Sequence, residues 1–94
     1  MTYEHEFKES ALKEWRKLDA NIRVQFKKKL AERIENPRVE SSKLSGLPDC
    51  YKIKLKSAGY RLVYQVEEAR LVIIVIAVGK REGSVVYRSA AERL

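Results

Sequence analysis

Tyr51-Lys52-Ile53-Lys54-Leu55-Lys56, followed by Ser57-Ala58-Gly59 and then Tyr60-Arg61-Leu62-Val63-Tyr64-Gln65-Val66, is the stretch that decides the fold. Its first part alternates. Tyr51, Ile53 and Leu55 point one way and three lysines the other, the period-two pattern of a half-buried strand with a basic outer face. Ser57-Ala58-Gly59 is a turn signal, so Tyr60 to Val66 reads as the return strand of a hairpin.

Downstream, Glu67-Glu68-Ala69-Arg70 turns the chain again, and Leu71 to Val78 is unbroken Leu, Val, Ile and Ala. A strand with no polar alternation is covered on both faces, which places it in the middle of a sheet. Gly79 to Gly83 then read as a short charged loop. Ser84 is a candidate cap for a last helix, on which Tyr87, Ala90, Ala91 and Leu94 fall at i, i+3, i+4 and i+7.

Upstream, a long irregular stretch is bracketed by Pro37 and Pro48. Before it, Ile22, Phe26, Leu30 and Ile34 recur every four residues, the stripe of an amphipathic helix into which Arg23 and Arg33 intrude. Asn36-Pro37 stops that helix, because a residue before proline is pushed out of the α region. Asp19 is a plausible N-cap for it. Ala11, Trp15 and Leu18 share one face of an earlier helix that starts at Glu9. Residues 2–7 alternate, with Tyr3, His5 and Phe7 on one face and Glu4 and Glu6 on the other, so they read as a short strand with His5 as a half-core residue. The order β-α-α-β-β-β-α predicts an α+β fold. An N-terminal strand and a helical hairpin pack on a mainly antiparallel four-stranded sheet, with a short C-terminal helix added. Residues 1–94 are expected to form a single domain.

The composition excludes several function classes. The longest apolar run has eight residues, far below the ~20 that span a bilayer, and the first residues carry two glutamates with no apolar core, so neither a membrane helix nor a secretory signal is expected. A cytoplasmic location follows. Cys50 is the sole cysteine, which rules out an internal disulfide and a multi-cysteine zinc site and makes it a small hydrophobe by default. No His/Cys/Asp/Glu cluster has ligand spacing, and neither a Gly-rich phosphate loop nor a G-x-S-x-G elbow is present, so no metal or nucleotide cofactor is expected.

The net charge of +7 points to a polyanion or another acidic surface as partner. It is unevenly placed: residues 1–42 carry a balance of +2 and residues 43–94 one of +5. If the hairpin register sets Arg61 opposite the lysines, Lys52, Lys54, Lys56 and Arg61 form a cationic floor that Arg81 can join from the neighbouring strand. Alternating lysines also suit a solvated or edge-guarding strand face. Lys27-Lys28-Lys29 point around a helix axis, which gives a solvated face with some attraction for phosphate. With one histidine in the chain, Tyr, Lys and Arg are left for proton transfer. Tyr87 lies six residues beyond Arg81, and neighbouring cations favour its phenolate. Its other reading is a core aromatic on the last helix.

Four segments carry a family resemblance: Ala11 to Leu18 (ALKEWRKL), Gly46 to Leu55 (GLPDCYKIKL), Gly59 to Val66 (GYRLVYQV) and Val78 to Glu82 (VGKRE). Together they resemble the RelE family, ribosome-dependent messenger RNA interferases of toxin–antitoxin pairs, over essentially the whole chain. The resemblance implies a RelE-like, microbial-ribonuclease-like fold and metal-independent endoribonuclease activity in the ribosomal A site. It implies that Lys52 and Lys54 stabilise the transition state, with Lys54 helping to activate the 2′-hydroxyl. Arg61 would then hold the scissile phosphate, Arg81 would stabilise or protonate the leaving 5′ oxygen, and Tyr87 would act as base or stack on a nucleobase. Lys43, Lys56, Lys80, Lys27 and Lys28 are the candidate contacts to RNA and ribosome. Implied partners are messenger RNA, the small ribosomal subunit and a RelB-like antitoxin that wraps the toxin and displaces its C-terminal helix. Operator DNA is expected only through the antitoxin complex. Ser45 and Gly83 are departures within the resemblance, standing where a near relative in the family carries basic residues, which would remove phosphate or ribosomal RNA contacts. Two other readings stay open: a superfamily toxin that poisons a protein such as DNA gyrase, and a catalytically silent nucleic-acid-binding co-repressor.

Overall fold

The computed structural model describes residues 3–80, 82 and 85–94. The chain runs β1 (Glu4–Phe7), α1 (Glu9–Arg16), α2 (Ala20–Glu35), β2 (Cys50–Leu55), β3 (Tyr60–Glu67), β4 (Val72–Lys80) and α3 (Val85–Arg93), with 3-10 turns at Glu40–Ser42 and Glu68–Arg70. The sheet order is β1-β4-β3-β2. β2 with β3 and β3 with β4 are antiparallel, whereas β1 lies parallel to β4, so the sheet is mixed. β4 is central, as its unbroken apolar sequence requires.

Alternation along the strands sorts side chains into two layers. Tyr51, Ile53 and Leu55 of β2, Leu62, Tyr64 and Val66 of β3, and Ile73, Val75 and Val78 of β4 pack with Ala11, Trp15, Leu18, Ile22, Phe26 and Leu30 from the helical hairpin. Each such side chain contributes about 1.5–3 kcal/mol by leaving water. On the opposite face a smaller cluster of Cys50, Val63, Ile76 and Ala77 is covered by Val86 and Ala90 of α3, with Leu44, Leu47 and Tyr87 at its margin. Between Val63 and Tyr64 the β3–β4 register slips, the partner stepping from Ala77 to Val75. Ile76 is the extra residue of this bulge, which is how Ile76 and Ala77 come to share one face. Among the described residues no helix is long and apolar enough to cross a membrane.

Several expectations change on inspection of the structure. β4 begins at Val72 because Leu71 turns the chain in a left-handed conformation (φ 54°), and it runs on through Gly79 and Lys80, since β3 is long enough to pair with both. Leu18 is buried but lies in the link between α1 and α2, and Asp19 occupies the N-cap position of α2 without a side-chain cap bond. His5 is exposed, since β1 is an edge strand and its ring meets only the Phe7 ring edge-on, at 6.0 Å. On α3 the buried residues are Val86 and Ala90, while Ala91 and Leu94 are exposed. The helix is rotated from the predicted stripe because Val86 fits over Gly79, where an added Cβ would lie 3.1 Å from Val86 Cγ2. The first strand was expected from residue 2, and Ser84 was expected to cap α3. Thr2, Arg81, Gly83 and Ser84 lie outside the described residues.

Candidate active site

Because Tyr51, Ile53 and Leu55 enter the helix-side core, Lys52 and Lys54 emerge on the other face of the sheet, at its β2 edge. The register pairs Lys54 with Arg61 and Lys52 with Val63. Arg61 pairs in turn with Gly79, so a row Lys54–Arg61–Gly79 crosses this face and ends beneath Val86 of α3. The four-residue turn that positions the pair closes through Gly59, whose N–H donates to Leu55 O at 2.8 Å and whose φ of +70° suits a residue without Cβ. Lys54, Lys56, Gly59 and Arg61 line an open hollow of about 270 Å³ with Leu55 at its side.

Like charges packed this closely alter their own titration. Lys52 first and Arg61 second hold the Lys54 pKa below its usual value, with a smaller contribution from Lys56. A neutral Lys54 amine can also accept a hydrogen bond from the Lys52 ammonium, which acts in the same direction. Among the described residues no acidic side chain neutralises the group: the carboxylates of Asp49, Glu67, Glu68, Glu6 and Glu14 pair with Arg38, Arg70 and Arg93 elsewhere.

Strand β2 is fixed from behind. Arg33 of α2 donates to the carbonyl of Lys52 at 3.1 Å, to the Tyr64 hydroxyl at 2.9 Å and to Ser42 Oγ at 3.3 Å, and the Tyr64 hydroxyl donates to Pro37 O. Tyr64 itself is buried, which raises its pKa while the Arg33 guanidinium opposes the shift. Cys50, at the start of β2, is buried on the opposite face among Val63, Ile76 and Ala77, and burial pushes its thiol up to about 11, so it serves as a packing residue.

Tyr87 is half-buried at the margin of the smaller core. It lines a second hollow, of about 470 Å³, with Leu44, Ser45, Leu47 and Arg88, separate from the one holding Lys54 and Arg61. The remaining predicted cations are dispersed. Lys56 joins Lys54 and Arg61, but Lys43 pairs with Tyr51 and Lys80 with Tyr60, which puts both on the helix side of the sheet. Lys27 and Lys28 stand exposed on α2, which packs against that side. Arg81 lies outside the described residues.

A family model described as the ParE toxin of type II toxin–antitoxin systems matches residues 6–84. The mRNA interferase toxin RelE of Escherichia coli strain K12 is 60% identical over 94 residues, covering 100% of this chain and 99% of the relative. The chain belongs to the RelE family of type II toxins. Solved structures of the E. coli toxin are similar to the chain along its whole length. A double-arginine mutant of the E. coli RelE toxin in the free state superposes with a TM-score of 0.93 at 58% identity, covering 100% of this chain and 99% of the other. The toxin in the intact E. coli RelBE toxin–antitoxin complex superposes with a TM-score of 0.83 at 61% identity, covering 85% of this chain and 98% of that one.

For this RelE-family chain, sequence reading missed two arginines beside the site. Arg33 registers in the sequence only as a charge interrupting an apolar stripe, and that interruption is the signal: a buried-side arginine needs acceptors, and it finds them on the strand bearing Lys52. Arg88 follows Tyr87 directly, and only the rotation of α3 brings it to the hollow with Ser45.

Proposed function

We propose that this chain is a messenger RNA interferase, a metal-independent endoribonuclease that cuts messenger RNA held in the ribosomal A site and so stops translation in the cytoplasm. The observation that carries this reading is the Lys52–Lys54–Arg61 group on one open sheet face, with the Lys54 pKa lowered by its two cationic neighbours. Identity of 60% to proteins named mRNA interferase supports it across the full chain.

In the proposed reaction the 2′-hydroxyl of the messenger attacks the adjacent phosphorus, and the bond to the next nucleotide's 5′ oxygen breaks. The products are a 2′,3′-cyclic phosphate and a 5′-hydroxyl. Lys54, whose pKa is lowered by its cationic neighbours, takes the 2′-hydroxyl proton; Lys52 and Arg61 stabilise the charge that builds on the phosphate oxygens. Arg81 stabilises the leaving 5′ oxygen, which takes up a proton from its guanidinium or from water to become the 5′-hydroxyl. Tyr87, in a hollow apart from Lys54, is better placed to stack on a neighbouring base than to act as the base catalyst. A lysine base is poorly matched to neutral pH, so in-line positioning of the RNA by the ribosome supplies much of the rate. A RelB-like antitoxin is the proposed neutralising partner, in keeping with the similarity to the toxin of the RelBE complex.

Primer extension on a defined messenger, carried by ribosomes and free in solution, tests the reading. Cuts within the A-site codon on ribosomes only, ending in a cyclic phosphate and reduced about 10²–10⁴-fold in Lys54→Ala, are expected. Equal cutting by Lys54→Ala removes the proposed base, and no ribosomal cutting by the wild type removes the interferase reading.

A further inference from the structure

We propose that Arg88, on helix α3, is an RNA-binding residue that holds a messenger phosphate next to Tyr87. The inference rests on the interferase reading for the identity of the RNA, and on four observations for the site itself.

First, α3 lies on the same face of the sheet as Lys52, Lys54 and Arg61, with Val86 over the end of the Lys54–Arg61–Gly79 row. Second, Arg88 and Ser45 line one hollow together with Tyr87, Leu44 and Leu47. Third, this hollow has the parts a nucleotide needs. Leu44 and Leu47 give an apolar floor, Tyr87 gives an aromatic ring for a base, Ser45 gives a hydroxyl, and Arg88 gives a forked cation suited to two phosphate oxygens. Fourth, Arg88 is exposed and has no acceptor among the described residues, whereas Arg23, Arg33, Arg38, Arg70 and Arg93 each donate to protein oxygens. A cation without a partner, set beside an aromatic ring on the cationic face, is available to a phosphate at no cost in broken ion pairs.

Residues 45 and 88 line the same hollow, so a cation placed at position 45 of the loop would reach the phosphate site that Arg88 serves from the helix.

The test is equilibrium binding of a short fluorescein-labelled single-stranded RNA across a salt series, paired with single-turnover cleavage on programmed ribosomes. Arg88→Ala is expected to weaken RNA binding about tenfold and to lower the slope of log affinity against log salt by about 0.7–1, the loss of one phosphate contact. Arg88→Lys should keep the slope, and Ser45→Arg placed in the Arg88→Ala background should restore both affinity and slope. On ribosomes, Arg88→Ala should raise the half-saturating toxin concentration and leave the saturated cleavage rate within about twofold. Residue 88 is an exposed helix position, so all variants should fold with near wild-type stability. Unchanged affinity and slope in Arg88→Ala overturn the proposal, as does failure of Ser45→Arg to rescue. If the wild type binds RNA but does not cut on ribosomes, the interferase reading fails while the RNA salt series still decides the role of Arg88.

Discussion

Lys54 shows how far a single side chain's chemistry is set by its neighbours across a hairpin. Each proton it carries is repelled by Lys52 on its own strand and by Arg61 directly opposite, so its folded-state pKa lies below the ordinary lysine value. A lysine depressed in this way binds its proton more weakly folded than unfolded. The penalty is present below the folded value, and stability rises as pH climbs from the folded value toward that of the unfolded chain. With Lys54 in its proposed role as base, the saturated cleavage rate on ribosomes should rise with pH through the alkaline range as the amine becomes available. In Lys52→Met the largest source of repulsion is gone, so the midpoint of that rise should move to higher pH even though the overall rate falls. A rate–pH profile measured for both proteins checks this, and an unshifted midpoint in Lys52→Met assigns the titration to another group.

Among the elements, α3 has the most conditional placement, because it is held at two ends by different means. At its start Val86 sits close over Gly79, where an added Cβ would lie 3.1 Å from Val86 Cγ2 and force the helix to give by a few tenths of an ångström. Gly79→Ala should therefore push the helix outward, weakening α3 docking and cleavage together, and Val86→Ala in the same chain should recover most of the loss; thermal melts and cleavage rates of the single and double variants check it. At its end Arg93 grips Glu14 with both nitrogens (2.8 and 3.1 Å) and donates to Ile76 O at 2.9 Å, while Lys8 donates to the Arg93 carbonyl at 2.7 Å. Glu14 also accepts from Val78 N–H at 3.1 Å, so Arg93→Met strands a half-buried carboxylate. The expected cost is about 1–3 kcal/mol in the opening of α3, read as faster hydrogen exchange at Ala90 with the sheet amides little changed. This element also marks where sequence reading ends. Alternation in β2 and β3 and the apolar run of β4 made the sheet legible, because those patterns record which faces are buried. The face of α3 was misjudged by one position, because the decision is made by a glycine on a distant strand and an ion pair to α1, neither of which leaves a periodic trace. The Lys54–Arg61 pairing was a possibility in the sequence and became definite only with the register, while Arg33 and Arg88 depended on contacts that cross the sheet or close a loop.

At the scale of the whole molecule, the positive charge divides between two faces that the sheet keeps apart. Lys52, Lys54, Lys56 and Arg61 lie on the face shared with α3, whereas Lys27, Lys28 and Lys29 are exposed on α2, Lys80 pairs with Tyr60, and all four belong to the helix side. Charges on the far side cannot touch a phosphate in the active hollow, yet with a Debye length of about 8 Å at physiological salt they still contribute to the field an approaching polyanion meets. The two sets should therefore separate kinetically. Replacing Lys27, Lys28 and Lys29 together by glutamine should leave stability within about 0.5 kcal/mol, since the three are solvent-exposed away from any described ion pair. It should slow association with programmed ribosomes severalfold at low salt, with the difference fading as salt is raised, and leave the saturated cleavage rate unchanged. Substitution at Lys54 should do the reverse, lowering the saturated rate with a smaller effect on association. Stopped-flow association and single-turnover cleavage over a salt series distinguish the two, and a drop in saturated rate for the α2 variant would place those lysines against the ribosome in the reacting complex, giving the helix face a direct part in positioning the messenger.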